Sequence, residues 1–120
     1  MPNRIPACGE TMTSKVTVQS GICGFETTIE ARDLGTGEVE IRIESQCKSV
    51  QTYAEKLRSA TTDDLVEWTG SKVIELAAKT GLTTTCLIPT AVFNVCWVEI
   101  GMISRKLSQD KGPLCIHFIE

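Results

Sequence analysis

Histidine is nearly absent from this chain: His117 is the single one in 120 residues. No HExxH pattern is therefore encoded, and P-loop, GxGxxG and GxSxG patterns are missing as well. Basic runs are also lacking. Lys and Arg number 12 against 15 Asp and Glu, giving a net charge of -3 and a pI near 5.2. Nothing is arranged to neutralise phosphates, which argues against a nucleic-acid partner. Long apolar runs are missing too. The stretch from Cys86 to Ile103 is interrupted by Thr90, Asn94 and Glu99. A helix from Thr90 to Arg105 would reach only about 24 Å, short of a hydrocarbon core of about 30 Å. A buried helix is expected there, not a membrane span.

Residues 1–14 carry no apolar signal-peptide core and read as a leader, with one domain expected over 15–120. Six cysteines without an export signal point to reduced thiols and a cytoplasmic protein. Three disulfides would be the secreted alternative, but a chain of this length can build a core without staples.

The pattern predicts an α+β fold. Lys15 to Ser20 alternates apolar and polar residues, the period of a half-buried strand. Phe25, Thr27, Ile29 and Ala31 fall on one face of a second strand, opposite Glu26, Thr28, Glu30 and Arg32. Val39, Ile41 and Ile43 alternate with Glu40, Arg42 and Glu44 in a third. The three read as an antiparallel meander with one buried and one charged face. Val50, Tyr53, Ala54 and Leu57 mark a helix. The segment from Ala60 to Asp64 supplies caps for the next, which is weakened at Gly70 and stopped by Gly81. Pro89 opens a third helix with Val92, Phe93, Cys96, Trp97, Ile100, Ile103 and Leu107 on a wide apolar face. Ala91, Val98 and Met102 form a second strip, covered by the leader or by another copy. Pro113 to Ile119 reads as a last strand. The expected order is β-β-β-α-α-α-β, with helices on one face of the sheet.

Alternating passes carry three thiols to one end. With the first strand running up, Cys23 lies in the upper turn and Cys47 ends the third strand at the top. Cys86 arrives there if the region from Leu65 to Gly81 is a single pass. Cys47 and Cys86 precede helix starts, where unpaired N–H groups favour a thiolate. Cys23 lies between Gly21 and Gly24, where bare backbone can form an anion nest. Gly24 and Ser45 are the non-cysteine candidates beside a bound group. Soft thiolates select zinc, copper(I) or iron–sulfur clusters, and three protein ligands leave one position open. No CxxC or Cx2Cx2C run reinforces this, and packing as small apolar side chains is the competing reading. Cys96 belongs to the helix core by that reading, Cys8 to the leader, and Cys115 to the outward side of the last strand. His117 reads as a solvated or interface histidine, with a fourth-ligand role the alternative. No residue is marked as catalytic.

Cys23-Gly24-Phe25, Ser45-Gln46-Cys47, Cys86 to Ala91 and the helix with Glu99 and Gly101 resemble a family of small uncharacterised proteins. These are three-cysteine domains of unknown function from anaerobic archaea and bacteria, including methanogens. The resemblance spans Lys15 to about Ile119. It implies shared cysteines at Cys23, Cys47 and Cys86, with Gln46 where an acidic residue is common and Leu87 where a proline is common. It supplies no reaction. The leading expectation is a soft metal or iron–sulfur cluster, or zinc, held by Cys23, Cys47 and Cys86. Two alternatives stand beside it: a thiol enzyme or redox protein using Cys47 or Cys86, and a metal-free oligomeric interaction module. Homo-oligomerisation is left open, as is any small-molecule or protein partner.

Overall fold

The structure, a computed structural model, describes residues 13–120; Cys8 and most of the expected leader lie outside them. Three strands form the meander read from alternation: β1 (Ser14–Ser20), β2 (Phe25–Asp33) and β3 (Glu38–Ser45). Their register sets Val16 opposite Ile29 and Ile29 opposite Ile43, so the apolar sets share one face. Ile29, Ala31, Val39 and Ile41 are buried there. The other face is charged, with Arg32 and Glu40 paired at 3.1 Å. Gly35 and Gly37 both take positive φ in the β2–β3 turn, a backbone region closed to most side chains.

Two departures from the expected order concern strands. A short fourth strand, β4 (Ser59–Thr61), pairs antiparallel with Glu38–Glu40 of β3, giving the order β1-β2-β3-β4. The segment from Pro113 to Ile119 has no regular secondary structure and is exposed instead of joining this sheet. Alternation describes the two faces of a strand but does not name its neighbour, and three residues are too few to show the period. Both α+β class and meander order hold.

Five helices follow: α1 (Lys48–Lys56), α2 (Thr62–Val66), α3 (Lys72–Lys79), α4 (Ile88–Glu99) and α5 (Arg105–Lys111). The weak region at Gly70, with φ of 77°, separates α2 from α3. Thr61 and Asp64 close a capping box at the start of α2. Asp64 also accepts from the Lys72 N–H at 3.0 Å and so joins α2 to α3. Partial burial of Asp64 opposes ionisation. The Lys72 and Thr61 N–H groups, the Thr61 hydroxyl and the Lys72 charge outweigh it and hold the carboxyl below its ordinary range.

The core lies between the sheet and the helices, with Tyr53 and Leu57 of the α1 stretch, Val73 of α3 and Ile88, Val92, Val95 and Cys96 of α4 all buried. The Tyr53 hydroxyl donates to the Val73 carbonyl at 2.8 Å, and the Trp97 ring nitrogen donates to the Leu65 carbonyl at 2.7 Å. At the end of α4, Met102 N–H reaches the Trp97 carbonyl and Gly101 N–H the Val98 carbonyl, with Gly101 at φ of 82°. This double bond is the Schellman stop that glycine favours. Of the second apolar strip, Ala91 and Val98 are half-buried and Met102 is exposed.

Glu99 ties this helix end to the sheet. Its carboxylate accepts from the Ser14 hydroxyl at 2.8 Å and the Asp33 N–H at 2.8 Å, and pairs with Arg105 at 3.4 Å. Hydrogen bonds to a charged group stabilise by roughly 1.5–3 kcal/mol each. Replacing Glu99 by Ala is thus expected to cost about 3 kcal/mol in urea melts, more than the ~1 kcal/mol for Thr61→Ala at the cap. The Asp64→Asn penalty has a pH signature. Asp64's folded-state pKa is depressed, so its stabilisation is present above the ordinary carboxylate range and lost as pH falls through the lower folded value. Wild type and Asp64→Asn are expected to differ at neutral pH and to converge in acid.

Candidate functional site

Chain direction decides where the thiols go. β3 rises to Ser45, α1 starts just after Cys47, and β4 runs antiparallel to β3 at its lower end, where Glu38 meets Thr61. α2 packs on β4 there, so α3 climbs back past α1. Gly70 separates two helices without sending Cys86 to the lower end. The lower position of Glu99, bonded to the start of β1 and the end of β2, confirms that α4 descends. Cys86, two residues before α4, is therefore at the top with the β1–β2 turn and Cys47.

Each thiol sits in a different setting. Cys23 is exposed in the Gly21–Gly24 turn, while Cys47 and Cys86 are half-buried and pack against the core cluster. The turn is closed by the Gly24 N–H donating to the Ser20 carbonyl, with Gly24 at φ of 76°. That N–H is occupied, so the anion nest expected at Gly24 is not formed by it. Ser45 acts on the position of Cys47. Its hydroxyl oxygen accepts from the Cys47 N–H at 3.2 Å and from the Thr27 hydroxyl at 2.8 Å. Gln51 bonds the Ser45 carbonyl at 2.8 Å, which secures the strand-to-helix corner. The Cys86 N–H donates to the Thr83 carbonyl at 3.0 Å. Thr83 and Thr85 bond each other at 2.9 Å.

The Cys86 thiol responds to its burial and to the other two cysteines. Burial pushes the Cys86 thiol above its ordinary range, outweighing a hydrogen bond from the Ile88 N–H that favours the thiolate. Charge on Cys47 and then on Cys23 pushes it the same way. The expected lowering of Cys86 at a helix start is opposed: the residue is half-buried against the core, and desolvation is the larger effect. A metal-independent nucleophile at Cys86 loses its main support with it. Beneath the site, burial raises the Tyr53 hydroxyl, and charge on Cys86 and Cys96 adds to this.

Proximity stops short of a preassembled ligand set. Among the described residues, no three His, Cys, Asp or Glu side chains are grouped to hold a metal ion. Cys96 is fully buried in α4, and burial together with the Glu99 charge pushes its thiol up to about 12. It is a core residue, as its helical position implies. Cys115 and His117 lie exposed on the tail beyond α5 instead of on a strand. Sequence reasoning read Glu99 as a break in the apolar stretch and as part of the family resemblance, not as a tie to the sheet. The spacing that makes it a tie to Ser14 and Asp33 exists only in the fold.

The chain belongs to a family of unknown function, DUF6951, whose match spans residues 14–110. No curated protein and no solved structure matches it. None of the described helices is long and apolar enough to cross a membrane.

Alkylation followed by mass spectrometry across a pH series separates these thiols. Exposed Cys23 is expected to react first, Cys86 only above the ordinary thiol range, and Cys96 to stay unmodified in the folded protein. Modification of Cys86 well below pH 8, about half a unit under a free thiol, would contradict the burial argument.

Proposed function

We propose that this DUF6951 member binds a soft metal ion or iron–sulfur cluster through Cys23, Cys47 and Cys86, leaving one position open. What supports this reading is placement: three cysteines, from the β1–β2 turn, the residue before α1 and the loop before α4, lie toward one end of the fold, and charge on the first two bears on the Cys86 thiol. Three thiolates in one place repel, and a soft cation relieves that repulsion while displacing the protons.

Two of the donors are half-buried and one is exposed. Cys47 and Cys86 are held by core packing and by their backbone bonds. Cys23 stands on a turn whose two glycines have open space around them, next to Ile22 at 86% exposure. Closure of that turn over the fixed pair would complete the ligand set. The Ile88 N–H favours the Cys86 thiolate and would tune a coordinated one, as partners beyond the ligands do in metal sites.

The chemistry supplied by such a centre is Lewis-acid polarisation for zinc or electron transfer for a cluster, at a position open to an exogenous ligand. Gly24 and Ser45 shape the loops that carry two of the thiols. They are assigned to positioning, not to contact with the bound group.

Protein prepared without oxygen is expected to carry zinc, or iron with labile sulfide, near one centre per chain. The Cys23→Ser, Cys47→Ser, Cys86→Ser triple variant is expected to lose it while remaining folded, whereas Cys115→Ser retains it. Loading should also raise the melting temperature of wild type alone, since a ligand about a hundredfold above its Kd stabilises by about 2.7 kcal/mol. Equal metal in the triple variant, or metal-free wild type from anoxic cells, overturns the reading.

A further inference from the structure

The free edge of the sheet has nearly the same sequence in both directions. β1 is Ser14-Lys15-Val16-Thr17-Val18-Gln19-Ser20, close to a palindrome about Thr17. Serines end it, valines flank the centre, and Lys15 against Gln19 is the one departure. The strand order leaves β1 at one margin of the sheet, paired on one side with β2, while the other margin is the three-residue β4. Among the described residues, no backbone–backbone hydrogen bond outside the β1–β2 pairing engages Ser14 to Gln19. Such a row of unpaired N–H and C=O groups is a template for a further strand.

An antiparallel copy related by a two-fold axis at Thr17 sets like against like. Thr17 faces Thr17, Val16 faces Val18 and Ser14 faces Ser20. A two-fold interface needs this self-matching, and a Thr–Thr pair across strands is favourable. A slip of one residue would turn inward Val16 and Val18 against outward Lys15, Thr17 and Gln19. Lysine ordinarily guards an edge against pairing, but Lys15 does not meet its own copy here. It faces Gln19 of the second copy, with Glu26 next across that sheet and Glu30 beside it in its own. The two lysines stand four residues apart along the seam, roughly 14 Å, beyond the ~8 Å screening length at physiological salt.

The helix beneath this edge carries a second, independent match. Phe93 of α4 touches Trp68, and Trp97 bonds Leu65, so that flank of α4 faces α2 and the β4 side of the sheet. At 100° per residue, Ala91 and Val98 lie on the other side of the buried stripe, toward the β1 edge. Both are half-buried, and Met102 continues the strip exposed. α4 packs across β1 and β2, so its axis runs about half a strand spacing inside β1. Across a β1–β1 seam the two α4 axes would stand about two strand spacings apart, roughly 9.6 Å. Packed helices are separated by about 8–10 Å. Edge and helix therefore ask for the same partner at the same distance.

We propose that two copies of this chain join through β1, antiparallel and centred on Thr17, with the Ala91 and Val98 strips of both α4 helices packed beneath the seam. Two four-stranded sheets become one of eight strands, and the helices stay on a common face. Nothing in this arrangement depends on the thiol reading.

Sedimentation of the reduced full chain across a dilution series is expected to give twice the 13.1 kDa chain mass, with or without bound metal. Thr17 is exposed, so Thr17→Lys and Thr17→Asp should each keep the wild-type circular dichroism while setting like charge against like at the axis. Each alone is expected to weaken the dimer by about tenfold or more. An equimolar mixture of the two should restore it as a heterodimer, an outcome specific to a seam in which residue 17 meets itself. Val98→Lys on the helix strip is expected to weaken the dimer as well. A monomeric full chain, with the leader or another protein left to cover the strip, overturns the proposal. A dimer indifferent to both Thr17 charges, or a mixture that stays monomeric, overturns it too.

Discussion

The seating of α4 against the sheet is the constraint from which the upper end of the molecule follows. Ile88, Val92, Val95 and Cys96 are buried at a spacing that keeps them on one side of the helix, which packs across β1 and β2. A twelve-residue helix spans about 18 Å, comparable with the strands beneath it. Its two ends therefore coincide with the two ends of the sheet. Glu99 locks one end through Ser14 and Asp33, and buried Ile88 fixes the other. Cys86 is delivered to its place by a packing arrangement that does not require the thiol at all.

Long polar bonds hold the remaining helices to this frame. The Trp97 ring reaches the Leu65 carbonyl in the last turn of α2, where helix geometry leaves carbonyls unpaired. Tyr53 performs a similar task from α1 toward α3. Both side chains bury an apolar body and end in a donor, so one residue supplies packing area and satisfies a backbone acceptor. The short helices α2 and α3 are thus fixed by tertiary contacts, not by their own length, in keeping with the cost of starting any helix.

Legibility in the sequence followed the range of the forces involved. The meander was readable because Val39, Ile41 and Ile43 alternate against charged neighbours, a local signature of a two-faced strand. The stop at Gly81 and the caps near Asp64 were local too. β4 escaped because Ser59–Thr61 is three residues long and becomes a strand only when β3 offers an edge. The tail showed the reverse fault: its alternation is genuine, but no edge in its own sheet takes it. For the thiols, direction of travel sufficed to bring Cys23, Cys47 and Cys86 to one end of the sheet, but it does not gather them: among the described residues no three such side chains are grouped to hold a metal ion. Their ionisation was not readable, because desolvation at Cys86 depends on how far its loop sinks into the core.

That last point bears on what kind of chemistry the upper end can support. A thiol activated for attack needs water, a base or positive charge nearby, all of which favour the thiolate. Cys86 has the opposite surroundings, with core on one side and two further sulfurs as its charged neighbours. The Ile88 N–H is a single favourable contact against these effects. Such an arrangement resists holding negative charge. Burial that disfavours a free thiolate thus sets the Cys86 loop at the upper end of the fold apart from the exposed Cys23 turn, where no such cost applies.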